Sequence, residues 1–153
     1  MDIKYITLVA PFLSWFLAQF LKPFTYFFKT GEWDWKQMSA SGGLPSSHTS
    51  TVSSLSLAIG FKDGFDSSLF ALSFALCCIV AYDAMNVRYF AGENIRATKL
   101  LVDELSEILP NLLLKNEKHF DRLKEVLGHT VVEVFCGFIL GLLVTGVIYL
   151  FVK

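Results

Sequence analysis

Two histidines, a lysine, an arginine and two carboxylates stand at or near the ends of apolar stretches in this chain. Gly43-Leu44-Pro45-Ser46-Ser47-His48 opens one such stretch, Asp83 to Arg88 closes another, and Gly128-His129 to Glu133 opens the last. The residue types suit work on an anionic head group at a membrane boundary, above all a phosphate. An imidazole can attack phosphorus or pass a proton, a carboxylate can hold that imidazole in one tautomer, and cations can offset charge on oxygen.

Each motif has a chemical reading and a structural one. In the first, the glycines let backbone approach a ligand closely, Pro45 suits a helix start, and Ser46 or Ser47 can cap it. The free N–H groups and dipole of that helix start favour an anion, to which His48 can donate. The alternative is a plain turn and cap with an incidental histidine. In the third motif, His129 and Glu133 are four apart and share a helical face. Glu133 can fix the tautomer of His129 and leave its other nitrogen free for attack. A carboxylate one turn into an apolar helix is a functional hypothesis by default, though the pair could simply orient the helix end. Lys22 lies inside an apolar stretch, either reaching out as an interfacial anchor or turned inward as a charge clamp on phosphate. Arg88 offers a planar fork for phosphate oxygens, and Asp83 can orient a histidine or pair with a cation. Arg96, Lys99, His119 and the charges between Glu117 and Glu125 read as solvated surface, and Trp33-Asp34-Trp35 as an interfacial aromatic anchor.

The elements that must position these groups are membrane helices. The 153 residues suffice for one domain, 1–153; they are 54% hydrophobic and 18% charged, and the net charge of -1 carries no basic footprint for nucleic acid. A spanning helix needs roughly 20 mostly apolar residues. The pattern predicts an all-α integral membrane bundle of about four transmembrane helices, near 5–28, 47–61, 68–85 and 129–152. The first is longer than a signal-peptide core and reads as a retained helix; Pro11 and Pro23 are placed to kink it. The second is short and rich in Ser and Thr, so it reads as a central helix packed away from lipid. The last carries Gly137, Gly141 and Gly146, whose Gly-x-x-x-Gly pair suits internal packing and a homodimer equally well.

Between the last two spans, 86–127 reads as a cytoplasmic helical segment. Ile95, Leu100, Leu101, Leu105, Ile108 and Leu112 recur at helical spacing, with a break at Pro110 and a short charged helix from Glu117 to Val126. With four helices, nine of the 13 lysines and arginines fall on one side, which predicts cytoplasmic large loops and both termini outside. The cysteines Cys77, Cys78 and Cys136 have no metal-ligand spacing and read as small membrane-helix residues.

Gly42-Gly43-Leu44-Pro45-Ser46-Ser47-His48-Thr49-Ser50, then Tyr82-Asp83-Ala84-Met85-Asn86-Val87-Arg88 with Ala91-Gly92-Glu93, then Leu127-Gly128-His129-Thr130-Val131-Val132-Glu133-Val134, resemble the divergent type 2 phosphatidic acid phosphatase-like family. That family is also described as acid phosphatase/vanadium-dependent haloperoxidase-related. The resemblance covers nearly the whole chain. The parent superfamily's phosphatases carry Lys-x6-Arg-Pro, Pro-Ser-Gly-His and Ser-Arg-x5-His-x3-Asp. Here Pro45-Ser46-Ser47-His48 matches the second with Ser47 in place of glycine, and His129-x3-Glu133 matches the end of the third with Glu for Asp. Lys22 looks like the first motif's lysine without the Arg-Pro, and Leu123 stands where the third motif has arginine.

The resemblance implies a lipid phosphate phosphatase acting on a phospholipid or polyprenyl phosphate, with no metal or other cofactor. His129 would be the nucleophile, Glu133 its orienting carboxylate, and His48 the acid for the leaving oxygen. Lys22, Arg88, Asp83 and the Ser46-Ser47 turn would form the phosphate site. Two further expectations stand beside it: a non-catalytic membrane protein that binds a lipid phosphate in the same pocket, and a metal site built from His48, His129, Asp83 and Glu133.

Overall fold

The protein's computed structural model describes residues 2–40, 42–108 and 130–152, with the backbone alone at residues 88, 89, 106 and 107. The described residues form α1 (Ile6–Thr30), α2 (Ser47–Asp63), α3 (Ser68–Met85), α4 (Val87–Ile108) and α5 (Val131–Leu150), with 3-10 turns at Ile3–Tyr5 and Trp35–Ser39. His119, Leu112, Pro110 and the charged helix expected from Glu117 to Val126 lie outside the described residues, as does the start of the last expected span at His129.

Three stretches among the described residues are long and apolar enough to cross a membrane: Ile3–Thr30, Ser68–Leu105 and Val131–Leu150. Together they make the chain a helical membrane bundle. The middle stretch runs through α3 and into α4; the two helices meet at Asn86, whose amide closes α3 on the Tyr82 carbonyl at 3.0 Å. Arg88, expected from the sequence to close α3, therefore sits in the first turn of α4 instead, because only one residue separates the helices.

The 17-residue α2 is shorter than the other four described helices and spans about 25 Å at 1.5 Å per residue. It packs against α1, α3 and α5, and so forms the middle of the bundle. Its sequence explains why. Ser47, Thr49, Ser50, Ser53, Ser54, Ser56 and Ala58 are all buried. They are small enough for close backbone approach, and their hydroxyls find partners on every neighbour. Ser50 bonds Ser14 of α1 hydroxyl to hydroxyl, and Ser14 Oγ also donates to the Ser50 carbonyl at 3.2 Å. Ser54 meets Thr145 of α5 at 2.7 Å, Ser53 donates to the Phe138 carbonyl at 3.2 Å, and Ser73 of α3 donates to Ser56 at 3.4 Å.

The partner helices are shaped to match. Along α1, Ile6, Ala10, Ser14, Ala18 and Lys22 recur every four residues and are all buried. Leu8, Phe12 and Phe16 of the same helix are exposed on the membrane side. Along α5, a methyl at Gly137 would strike the Ser46 carbonyl, and one at Gly141 would strike Ser53 and Ser50. The Gly-x-x-x-Gly pair thus serves internal packing against α2, whereas Gly146 has open space beside it. At the opposite end, Ile6, Ala10 and Ala58 pack with Ile3, Ile148 and Val152 and close the bundle.

The loop from α1 to α2 is built from local caps. Gly31 at φ +77 ends α1, its amide donating to the Phe27 carbonyl at 2.8 Å. Asp34 caps the 3-10 turn, and the Lys36 amide and Gln37 side chain that donate to it hold its carboxyl below the usual 3.8. Trp33 packs its ring against Phe24, Phe27 and Trp35. Cys77, Cys78 and Cys136 are free thiols.

Candidate functional site

The C-terminal part of α1, the start of α2, the end of α3 and the start of α5 share one end of the bundle. There Lys22 turns inward. It is 2% exposed, and its Nζ donates to the Ala40 carbonyl at 2.6 Å. An ammonium has three donors, so that bond leaves capacity for other acceptors. Gly43 lies over the lysine's stem: a methyl there would come 3.8 Å from Lys22 Cδ, and its φ of +96 is one that a glycine adopts without strain. Thr25, three residues along from Lys22, fixes the loop by donating to the Leu44 carbonyl at 2.5 Å. The Leu44–Pro45 peptide that follows is cis.

Ser46 joins this loop to α5. Its amide donates to the Glu133 carbonyl at 3.0 Å, and its hydroxyl caps α2 by accepting from the Thr49 amide at 3.4 Å. Ser46 is fully buried and both of its polar groups are engaged, so it acts as a joint of the scaffold. Ser47 is buried in the first turn of α2, and His48 beside it is exposed.

Glu133 lies in the first turn of α5. Its carboxylate accepts from the Thr130 amide at 3.1 Å, and the Thr130 hydroxyl accepts from the Glu133 amide at 3.4 Å. This reciprocal capping box satisfies two donors at the helix start. The charge of Glu133 also reaches the ammonium of Lys22. The first and third sequence motifs are therefore linked through the backbone at Ser46, and Lys22 is linked electrostatically to the third.

The second motif meets the first on the other side of α2. Asp83 and His48 line one open groove of about 510 Å³, with Trp15, Thr51, Val52, Ile79 and Val80 as its remaining walls. Each of the two polar side chains has an interaction partner of its own. Arg88 follows five residues after Asp83, at the start of α4. His129, the nucleophile expected from the sequence, lies outside the described residues, directly before the Thr130 cap. Among the described residues no three His, Cys, Asp or Glu side chains gather as metal ligands; the four-residue metal set expected as an alternative includes His129.

Residues 3–144 match the Divergent PAP2 family. The chain belongs to that family. A Bacillus subtilis (strain 168) relative, described as the uncharacterized membrane protein YuiD, is 36% identical over 140 residues, covering 88% of this chain and 87% of its own length. No solved structure matches the chain. Membership in the Divergent PAP2 family accords with the resemblance carried by the three motifs. It extends over all four helices that bring Lys22, His48, Asp83 and Glu133 to one end.

Sequence reasoning missed several members of this arrangement. Ala40 acts through its backbone carbonyl, and no side-chain signal marks it. Thr25 was within reach of analysis, since it lies three residues from Lys22 on the same helix. Thr130 was legible too: Thr-x-x-Glu before an apolar run is a capping-box signature.

Proposed function

We propose that this protein is a membrane-embedded lipid phosphate or diphosphate phosphatase that works through a histidine nucleophile, without a metal. The observation that carries this reading is the inward-turned Lys22. A buried ammonium in a membrane helix is costly unless polar or anionic partners meet it; here it lies against the loop at Ala40 and Gly43 that leads into α2, within reach of the charge of Glu133.

In this reading, a phosphate seats between Lys22 and the first turn of α2, where helix-start amides and the lysine offset its charge. Arg88 contributes its fork from the start of α4. A nitrogen lone pair of His129 forms a bond to phosphorus as the bond from phosphorus to the lipid oxygen breaks. The electron pair leaves with that oxygen, and the His48 imidazolium gives it a proton. Asp83 lines the same groove as His48. Water then attacks phosphorus while neutral His48 takes its proton. The P–N bond breaks, its electrons return to His129, and inorganic phosphate departs. Glu133 supports His129 through the α5 start that it caps, and by its charge. Ser46 holds the frame.

The substrate would be phosphatidic acid or a polyprenyl diphosphate. The basic bias of the loops expected from the sequence favours a site facing the cytoplasmic leaflet. Brief reaction with a phosphorus-labelled lipid phosphate, followed by a denaturing quench, tests the intermediate. Label on the protein that survives base and is lost in acid supports it; a turning-over enzyme that never carries such label counts against it.

Two observations favour a second reading. The Glu133 carboxylate is already engaged at Thr130, and Leu123 stands where the superfamily has arginine. The same pocket could hold a lipid phosphate without turning it over. Tight binding of a lipid phosphate with no release of phosphate would distinguish it.

A further inference from the structure

The groove that ends at His48 and Asp83 has a second property. α1 and α3 both pack on α2, with a slot between them floored by Thr51 and Val52. Trp15 forms one wall, and Ile79 with Val80 the other. The slot opens sideways onto the membrane face. Trp15 is 41% exposed and Ile79 64%, and Phe12, Leu72 and Leu76 continue the apolar surface beyond it on both helices. Its volume falls within the range of small-molecule sites. Apart from Thr51, its polar lining lies in His48 and Asp83 alone, among the groove residues named above.

We infer that this slot takes the hydrocarbon chain of the lipid whose phosphate is processed at Lys22, admitted sideways from the bilayer between α1 and α3. The inference rests on the proposed phosphatase reading and adds the leaving-group side to it. A chain lying over Val52 directs its polar end toward His48, the residue that must protonate the leaving oxygen. Phosphate on one side of the α2 start and chain on the other would put the bond to be broken beside that imidazole.

A hydrocarbon chain suits the site better than a protein helix. The floor is only one face of α2, His48, Thr51 and Val52 at helical spacing, about 6 Å from end to end at 1.5 Å per residue.

The test is photolabelling of the full-length protein in lipid nanodiscs. The probe is a single-chain lipid phosphate with a mid-chain diazirine; the same chain as a neutral alcohol serves as the second arm. The expected result is phosphate-dependent label on the slot walls, at or next to Trp15, Val52, Ile79 and Val80, displaced by unlabelled lipid phosphate. Val52→Trp and Ile79→Trp, the second at an exposed position, should each lower that label at least about tenfold. Leu143→Trp, on the exposed face of α5, should leave it intact. Label spread evenly over α1, α3 and α5, or equal with the neutral chain, or undiminished by both slot variants, overturns the inference; label confined to a contact between two copies does so as well. The result is separable from the catalytic reading, because labelling needs no turnover. Competed slot label without phosphate release keeps the slot and removes the reaction, and release with diffuse label does the reverse.

Discussion

The amide of Ser46 donates to the carbonyl of Glu133 across 3.0 Å, so the start of α2 and the start of α5 are one backbone joint. The joint forms because Gly137 lets the Ser46 carbonyl lie where any side chain would intrude. It fixes the place of the Thr130 cap that opens α5.

Gly137→Val should therefore destabilise the bundle by about 1–3 kcal/mol through overpacking. Gly146→Ala, with nothing within 4 Å of the added methyl, should not destabilise it. Thermal unfolding of both variants in the same detergent checks the contrast. Equal melting temperatures would mean that α2 and α5 do not meet as described.

Lys22→Met keeps the apolar stem and removes the ammonium. Loss of a charge clamp on the transferring phosphate should lower phosphate release about 100-fold or more. Because Lys22 and Glu133 interact, the double change with Glu133→Gln should cost less than the two single effects combined. Additive losses, measured as kcat/KM on one lipid phosphate, would show that the two charges act apart.

The hydroxyls of α2 should matter more for space than for bonding. Ser54→Ala loses the 2.7 Å bond to Thr145, and interhelical bonds of this kind average about 0.6 kcal/mol in membranes. Ser54→Leu must push α5 away and should be far more damaging. Comparing the detergent stability of both variants decides whether packing or hydrogen bonding governs this contact.

His48 carries a leaving-group signature. With an alkyl phosphate, His48→Ala should lose about 10²–10⁴ in rate, the usual worth of a general acid. With an aryl phosphate such as para-nitrophenyl phosphate, whose leaving oxygen needs no proton, the loss should be much smaller. The same loss on both esters would assign His48 to binding.

The bundle was legible in the sequence because hydropathy alone marks long apolar helices, and α2 was recognisable by its run of small hydroxyl residues. The family was legible because three short motifs occur in order. The inward turn of Lys22 was not: an amphipathic lysine can snorkel or point inward, and only the Ala40 carbonyl decides it. The sequence also left the glycines of α5 undecided between two partners, since spacing says that a helix can approach but not what approaches. Ser46 looked like a phosphate ligand because helix-start serines often are. Its cap on Thr49 is the local one that the sequence suggested, but the bond of its amide to Glu133 is a contact across 87 residues of chain that no local pattern encodes. The slot depends in the same way on how α1 and α3 splay around α2.

The most direct test of the catalytic proposal is phosphate release from a panel of lipid phosphates by purified wild type and by His129→Ala in the same detergent, with folding checked by melting temperature. Release by the wild type that disappears in the folded variant is the expected result. Equal release by both would contradict the assignment of His129 as nucleophile, and no release by either from any lipid would contradict the phosphatase itself.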